Sequence, residues 1–272
     1  MTNVEFGFII ENMNSPKEIA SNYIGVAQAK TSAVWYKTLI LAILAGAFIA
    51  IGGALATIAG TGFTATQSKL IKGAVFPLGL ILVVICGAEL FTGNCLLTAP
   101  LLNKDIKPSG MFKNLGIAYI GNFVGAVLIA VLVVYSGAYK DISAAVVELT
   151  ANKCRMNFGC ALLKGVLCNM LVCLAVWAAM ASKSASGKIL AVYLPVFAFV
   201  VCGFEHSIAN MFYLTSGFMT SAQSAIAVGY NFGEGLLNGL LAPTIGNIIG
   251  GCLIAVAYWA VYFRQSKPKE ND

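Results

Sequence analysis

Six apolar runs dominate the chain, at about 38–60, 73–102, 114–139, 157–182, 189–229 and 236–263. Each exceeds the roughly 20 residues that a helix needs to cross the hydrocarbon core of a bilayer. Apolar residues follow one another without alternation, as in Leu39–Ala45 (LILAILA). A closed β-barrel would alternate, so membrane-spanning helices are predicted instead. Two runs are anomalous. The second is 30 residues long and contains Pro77, Gly87, Glu89 and Gly93. The fifth is 41 residues long and contains Glu205 beside His206, the one histidine of the chain. Such a run is either two helices joined at a surface or one span broken at membrane depth, its irregular backbone lining a cavity.

An internal repeat decides between these. Residues 86–94 (CGAELFTGN) and 202–210 (CGFEHSIAN) share C-G-x-E-x-x-x-x-N at an offset of 116. Ile120, Gly121, Asn122 and Gly125 match Ile245, Gly246, Asn247 and Gly250 at an offset of 125. Gly46, Leu55 and Ala56 match Gly165, Leu174 and Ala175 at 119. Three matches in one order indicate two copies of a three-helix unit. Three is odd, so the second copy enters the membrane from the opposite face and the halves are inverted. The fold expected is therefore all-α, with six transmembrane helices in two inverted three-helix repeats and helices 2 and 5 broken at equivalent places. The organisation expected is an N-terminal segment (1–37), a first repeat (38–139), a connection (140–156), a second repeat (157–263) and a tail (264–272).

Composition agrees with a membrane protein. Hydrophobic residues make up 59% of the 272 positions and charged residues 10%, and mean hydropathy is +0.84. A soluble domain carries about a quarter charged residues. Lys and Arg distribution sets the sidedness. Lys17, Lys30, Lys37, Lys104, Lys107, Lys113, Lys183, Lys188, Arg264, Lys267 and Lys269 fall on one side, and Lys69, Lys72, Lys140, Lys153 and Arg155 on the other. The richer side is cytoplasmic, so both termini are expected inside, in a multi-pass protein of the inner or plasma membrane. The eight cysteines form no C-x-x-C pair, which argues against a zinc site or a disulfide framework. No cofactor, metal or nucleic-acid partner is expected, and the N-terminus carries no run of signal-peptide type.

The chemistry is expected at the breaks. A broken helix frees backbone N–H groups, and its macrodipole adds positive character at the new N-terminus. Two such ends meeting would favour an anion. Thr92 offers a hydroxyl and His206 a ring N–H. A lone buried histidine in a soluble protein is usually a hydrogen-bonded core residue, but ionisable groups at membrane depth are mostly functional. Glu89 and Glu205 would repel an anion, so a structural role is expected for them: accepting backbone N–H groups of the break. Asn94 and Asn210, with Asn122 and Asn247, are expected to tie helices together. Lys153 and Arg155 read either as an electropositive vestibule or as solvated loop charges, and Lys164 as a residue snorkelling to the interface. An intramembrane enzyme would need a nucleophile–base pair or a metal cluster, which one histidine and two equivalent glutamates do not supply.

With these motifs in hand, the chain resembles the formate/nitrite transporter family over nearly its whole length. The resemblance is carried by GAELFTGN (87–94), KGVLCNMLVCLAVW (164–177), GFEHSIANMF (203–212) and TIGNIIGG (244–251). It implies an aquaporin-like protomer, a homopentamer with one pore per protomer, and transport of formate or nitrite, then hydrosulfide or similar monovalent weak-acid anions, with proton exchange at the central histidine. It implies a pore site of Thr92, His206, Asn169 and Lys153, with Leu90 and Phe91 in a gating segment and Phe76, Leu80, Val172 and Phe199 at apolar constrictions. Proton exchange would turn the anion into a neutral acid that crosses such constrictions cheaply. A passive channel and a proton-coupled carrier both remain open. The competing reading is a neutral-solute or water channel of the same architecture. Such channels usually repeat Asn-Pro-Ala at both breaks, and neither break here contains proline.

Overall fold

A computed structural model of the protein describes residues 13–264, whose regular elements are helices apart from one isolated bridge between Met13 and Ser182. The tail residues 265–272, with Lys267 and Lys269, and the first twelve residues of the N-terminal segment lie outside the described residues. Helix α1 (Pro16–Ser32) leads into α2 (Trp35–Ala59). There follow α3 (Ala65–Cys86), α4 (Phe91–Leu102) and α5 (Pro108–Tyr135). The second half runs in the same order: α6 (Ser143–Arg155), α7 (Phe158–Ala181), α8 (Ala185–Val201), α9 (Ser207–Ser224) and α10 (Phe232–Phe263). Helices α2, α3, α5, α7 and α10 are each long and apolar enough to cross a membrane.

Two features depart from the pattern of apolar runs. The segment before each half's first long helix is itself helical. Helix α1 starts at a capping box, in which the Ser15 hydroxyl accepts the Glu18 N–H and the Glu18 carboxylate accepts the Ser15 N–H. Helix α6 occupies most of the connection 140–156. Second, α3 begins at Ala65 rather than near residue 73, because Thr64 and Gln67 form another capping box. Lys69 and Lys72, expected in a loop, therefore sit on its first turns. Ser184 caps α8 in a related way, accepting the Gly187 N–H at 3.1 Å, and this puts Lys188 inside that helix.

Helix α2 packs along α5, and α7 along α10. Glycines bring these backbones into contact. A Cβ on Gly125 would meet the Ile43 carbonyl, and one on Gly250 the Val166 carbonyl. Gly46 abuts Asn122 of α5, and Gly246 abuts the Leu162 carbonyl of α7. Lipid tails are as apolar as leucine, so close packing of this kind holds helices together where hydrophobic burial cannot. Ala42, Ala45, Ala118, Ala126 and Ala130 fill the α2–α5 seam without pushing it open.

Candidate functional site

Helix α3 stops because Gly87 turns into the left-handed region (φ 75°) and the Ala88 N–H closes back onto the Val83 carbonyl at 2.9 Å. Helix α8 stops in the same manner 116 residues later: Gly203 has φ 69°, and the Phe204 N–H reaches the Phe199 carbonyl at 3.0 Å. The chain is extended at Leu90 and at His206, then restarts as α4 and α9.

One asparagine holds each gap. From α5, Asn122 accepts the Phe91 N–H at 2.9 Å and donates to the carbonyls of Ala42 (2.8 Å) and Glu89 (2.9 Å). From α10, Asn247 accepts the Ser207 N–H at 2.8 Å and donates to Gly165 (2.8 Å) and Glu205 (2.9 Å). Both asparagines are fully buried, so each pairs three backbone groups that would otherwise carry a desolvation cost.

The glutamates do something other than expected. Each carboxylate accepts side-chain donors, and the backbone of the gap is satisfied by the asparagines instead. Glu89 accepts the Lys30 ammonium at 2.7 Å and the Asn94 amide at 2.6 Å, with Asn114 bonded to Asn94 at 2.8 Å. Glu205 accepts Lys153 at 2.7 Å and Asn210 at 2.7 Å, and Asn210 also donates to the Gly239 carbonyl at 2.7 Å. Lys30 comes from α1 and Lys153 from α6. Each stands five residues before the next long helix, Trp35 or Phe158. The lead-in helices thus deliver the counter-ions of the two breaks. This changes the picture of Lys153: its charge is closed onto Glu205 and lies over the Tyr213 ring at 5.2 Å, rather than standing free in a vestibule.

At the centre, Thr92 Oγ1 lies 2.9 Å from His206 Nε2. Thr92 is the second residue of α4, and His206 is the N-cap of α9, so both helix N-termini point into this contact. The Ala209 N–H donates to His206 Nδ1 at 3.3 Å. A ring nitrogen that accepts a hydrogen bond carries no proton, so with this bond made the neutral ring has its proton on Nε2, aimed at Thr92. Asn169 on α7 does not touch the ring. It donates to the Thr92 carbonyl at 3.1 Å and to the Asn247 carbonyl at 2.6 Å, fixing Thr92 from behind.

A cavity opens on either side. One, of about 230 Å³, is lined by Lys69, Lys72, Lys153 and Glu205, with Phe76, Phe199 and His206 among its other walls. The other, of about 760 Å³, is lined by Lys30, Lys183, Lys188 and Glu89, and by Leu80 and Leu90. Phe76 and Phe199 meet edge to face at 5.8 Å between centroids, and Phe199 leans on the His206 ring at 6.1 Å. The expected apolar positions therefore fall into two groups, Phe76 and Phe199 at one cavity and Leu80 and Leu90 at the other. Val172 is buried outside both linings, and Phe91 turns its ring onto Tyr119 of α5 at 4.8 Å. Lys30, Lys72, Lys188 and Asn114 belong to this region and were not singled out by the sequence. The equal spacing of Lys30 and Lys153 before an apolar helix was the available signal for Lys30.

Comparisons with known proteins converge. The family profile "Formate/nitrite transporter" matches residues 17–260. The chain is 37% identical to a probable formate transporter of Methanothermobacter thermautotrophicus, over 93% of this chain and 99% of the relative. It is 39% identical to the formate channel FocA of Escherichia coli K12, over 85% of this chain and 88% of the relative. Among solved structures, a pentameric formate channel with formate bound superposes with a TM-score of 0.75 at 30% identity, covering 84% of this chain and 97% of that one.

Proposed function

The chain belongs to the formate/nitrite transporter family, a family of multi-pass membrane transporters and channels, and on that premise we propose that it carries formate across the membrane through the Thr92–His206 contact. The observation that carries this reading is the contact itself: two buried donors, at 2.9 Å, where two helix N-termini meet between two lysine-bearing cavities. In the pathway proposed, formate displaces the Thr92–His206 hydrogen bond. It accepts the Nε2–H of His206 and the hydroxyl of Thr92, while the two helix ends stabilise its charge. The flanking pairs Phe76–Phe199 and Leu80–Leu90 are the constrictions, where a bare anion would pay a high desolvation cost. In the proton exchange, the ring first takes a second proton from solvent on Nδ1 in place of the Ala209 N–H bond. It then passes its Nε2 proton to formate and returns to a neutral imidazole. The neutral formic acid so formed crosses the constrictions at much lower cost. Nitrite and hydrosulfide, also monovalent anions of weak acids, are the next candidates. Asn169 positions Thr92, and the Lys153–Glu205 and Lys30–Glu89 pairs keep the breaks in shape.

The remaining architecture is proposed on the same footing. The matching order of α1–α5 and α6–α10 supports two inverted repeats, with α3–α4 and α8–α9 as broken spans. The lysine bias supports cytoplasmic termini, and the pentameric relative supports a homopentamer. The test is competition in proteoliposomes: labelled formate uptake against excess formate, nitrite, hydrosulfide, acetate and chloride. Saturable uptake, inhibited by formate and nitrite and not by chloride, is expected. Equal inhibition by chloride, or glycerol and water flux in place of formate flux, would replace this reading with a non-selective or neutral-solute channel.

A further inference from the structure

Each cavity contains one lysine set apart from the rest. Lys72 on α3 lines the smaller cavity and Lys188 on α8 the larger. They lie 116 residues apart, the spacing that also relates the two glutamates and the two left-handed glycines. Both are half-buried, and among the described residues neither ammonium has an ion pair or a hydrogen bond. Their neighbours differ. Lys30 and Lys153 are closed onto carboxylates at 2.7 Å. Lys69 is exposed, where solvent and salt screen its charge. The stem of Lys72 lies against the end of α2, where Gly60 makes the room: a Cβ there would come within 2.6 Å of Lys72 Cε. Among the described residues, Glu89 and Glu205 are the carboxylates that line the cavities and both are already paired, so the described linings carry more positive than negative charge in a partly desolvated space.

We propose that Lys72 and Lys188 are the anion-recruiting residues of the pore, one for each face. Each takes a small monovalent anion as counter-ion before that anion reaches Thr92 and His206. The ammonium supplies charge and three donors without fixed direction, which suits transient capture of a small oxyanion and its release inward. The inference rests on the formate reading and adds to it a division of labour. Paired lysines hold the breaks, and unpaired lysines gather the ligand from one side each.

The experiment is initial-rate formate uptake in vesicles of one protein orientation, with formate offered at either face, for the wild type, Lys72→Met, Lys188→Met and Lys69→Met. At about 10 mM ionic strength, where screening is weak, Lys72→Met is expected to raise the apparent KM roughly three- to tenfold for formate entering at the Lys153 side. The maximal rate and entry from the other face should be nearly unchanged. Lys188→Met should show the mirror image, and Lys69→Met little effect. At about 0.5 M salt the differences should fall below twofold, and Lys72→Arg should behave as wild type. Equal KM values in wild type and both variants would overturn the proposal. So would losses independent of salt and of face, which mark a structural role. Should Lys72→Met fail to assemble, Lys72→Gln supplies the neutral arm. A wild type without formate flux would instead refute the transport reading, and with it this one.

Discussion

The two breaks are built alike and differ at the point where they touch. At an offset of 116, Gly87, Glu89 and Asn94 correspond to Gly203, Glu205 and Asn210, and both sets make the same helix stop and the same carboxylate–amide bond. At the same offset, Leu90 corresponds to His206 and Thr92 to Ile208. The Thr92–His206 pair is thus composed of one residue from each half, taken from non-equivalent positions, and each faces what in the other half is an aliphatic side chain. The repeated positions build a scaffold, and the proposed site falls where the repeat fails. A symmetric centre would offer either two apolar caps or two histidines. The asymmetric one offers a single donor pair with an apolar side.

The scaffold half of this comparison breaks most severely when a carboxylate is removed. Glu205→Ala strands the Lys153 ammonium in a site where its side chain is 11% exposed, and Glu89→Ala strands Lys30 where it is 20% exposed. Breaking a buried pair from one side costs about 3–5 kcal/mol, so both variants should lose stability by an amount of that order. Glu205→Ala should lose more, because its partner is the less exposed. Thermal unfolding of the detergent-solubilised protein measures both. Adding Lys153→Met to Glu205→Ala should recover part of the loss. A double variant no more stable than the single one would show that the pair matters for more than compensating charge.

The site half is sharpened by making it symmetric. His206→Leu installs the residue that the first half has at Leu90. It removes the Nε2–H donor and also the N-cap that accepts the Ala209 N–H. A lost cap costs about 1 kcal/mol, so the fold should survive. Formate flux should fall at least about tenfold, equivalent to about 1.4 kcal/mol in the barrier. His206→Asn keeps both a cap and a donor and should fall less. Uptake by the two variants in the same vesicles is the measurement. If His206→Leu transports as well as His206→Asn, a donor at the centre is unnecessary.

The same contrast explains what was legible beforehand. C-G-x-E-x-x-x-x-N and I-G-N-x-x-G were readable because stopping the helix, pairing the carboxylate with an amide and tying the backbone of the gap impose identical demands on both halves, so the residues recur. Thr92 and His206 could be picked out only as polar oddities inside apolar runs, and their contact at 2.9 Å depends on how the halves fold together. The partners of Glu89 and Glu205 were misjudged for a physical reason. Their lysines lie on α1 and α6, short helices with many polar positions that give no apolar run, 59 and 52 residues away in sequence. Lys72 was hidden by a boundary: counting apolar residues starts the span near 73, whereas the Thr64–Gln67 capping box starts the helix eight residues earlier.

The lead-in helices offer the mildest test, because here the halves differ at the surface. Helix α1 opens with the Ser15–Glu18 capping box, while α6 has no side-chain cap at Ile142. The Ser15 N–H and hydroxyl hold the Glu18 carboxyl below its usual pKa. A carboxyl depressed in the folded state adds stability that is present above its unfolded pKa, near 4.3, and is lost as pH falls through the folded value. Acidification below about pH 4.3 should therefore loosen the first turn of α1 and leave the start of α6 unaffected. The expected readout is faster amide exchange at residues 16–20 on acidification, after correction for the intrinsic pH dependence of exchange, with no matching change at 143–147. Ser15→Ala should raise exchange in α1 at neutral pH and flatten its pH dependence. Equal acid sensitivity at both helices would mean that the cap contributes nothing and that α1 is held by its packing on α5, α7 and α10 and by the Lys30–Glu89 pair.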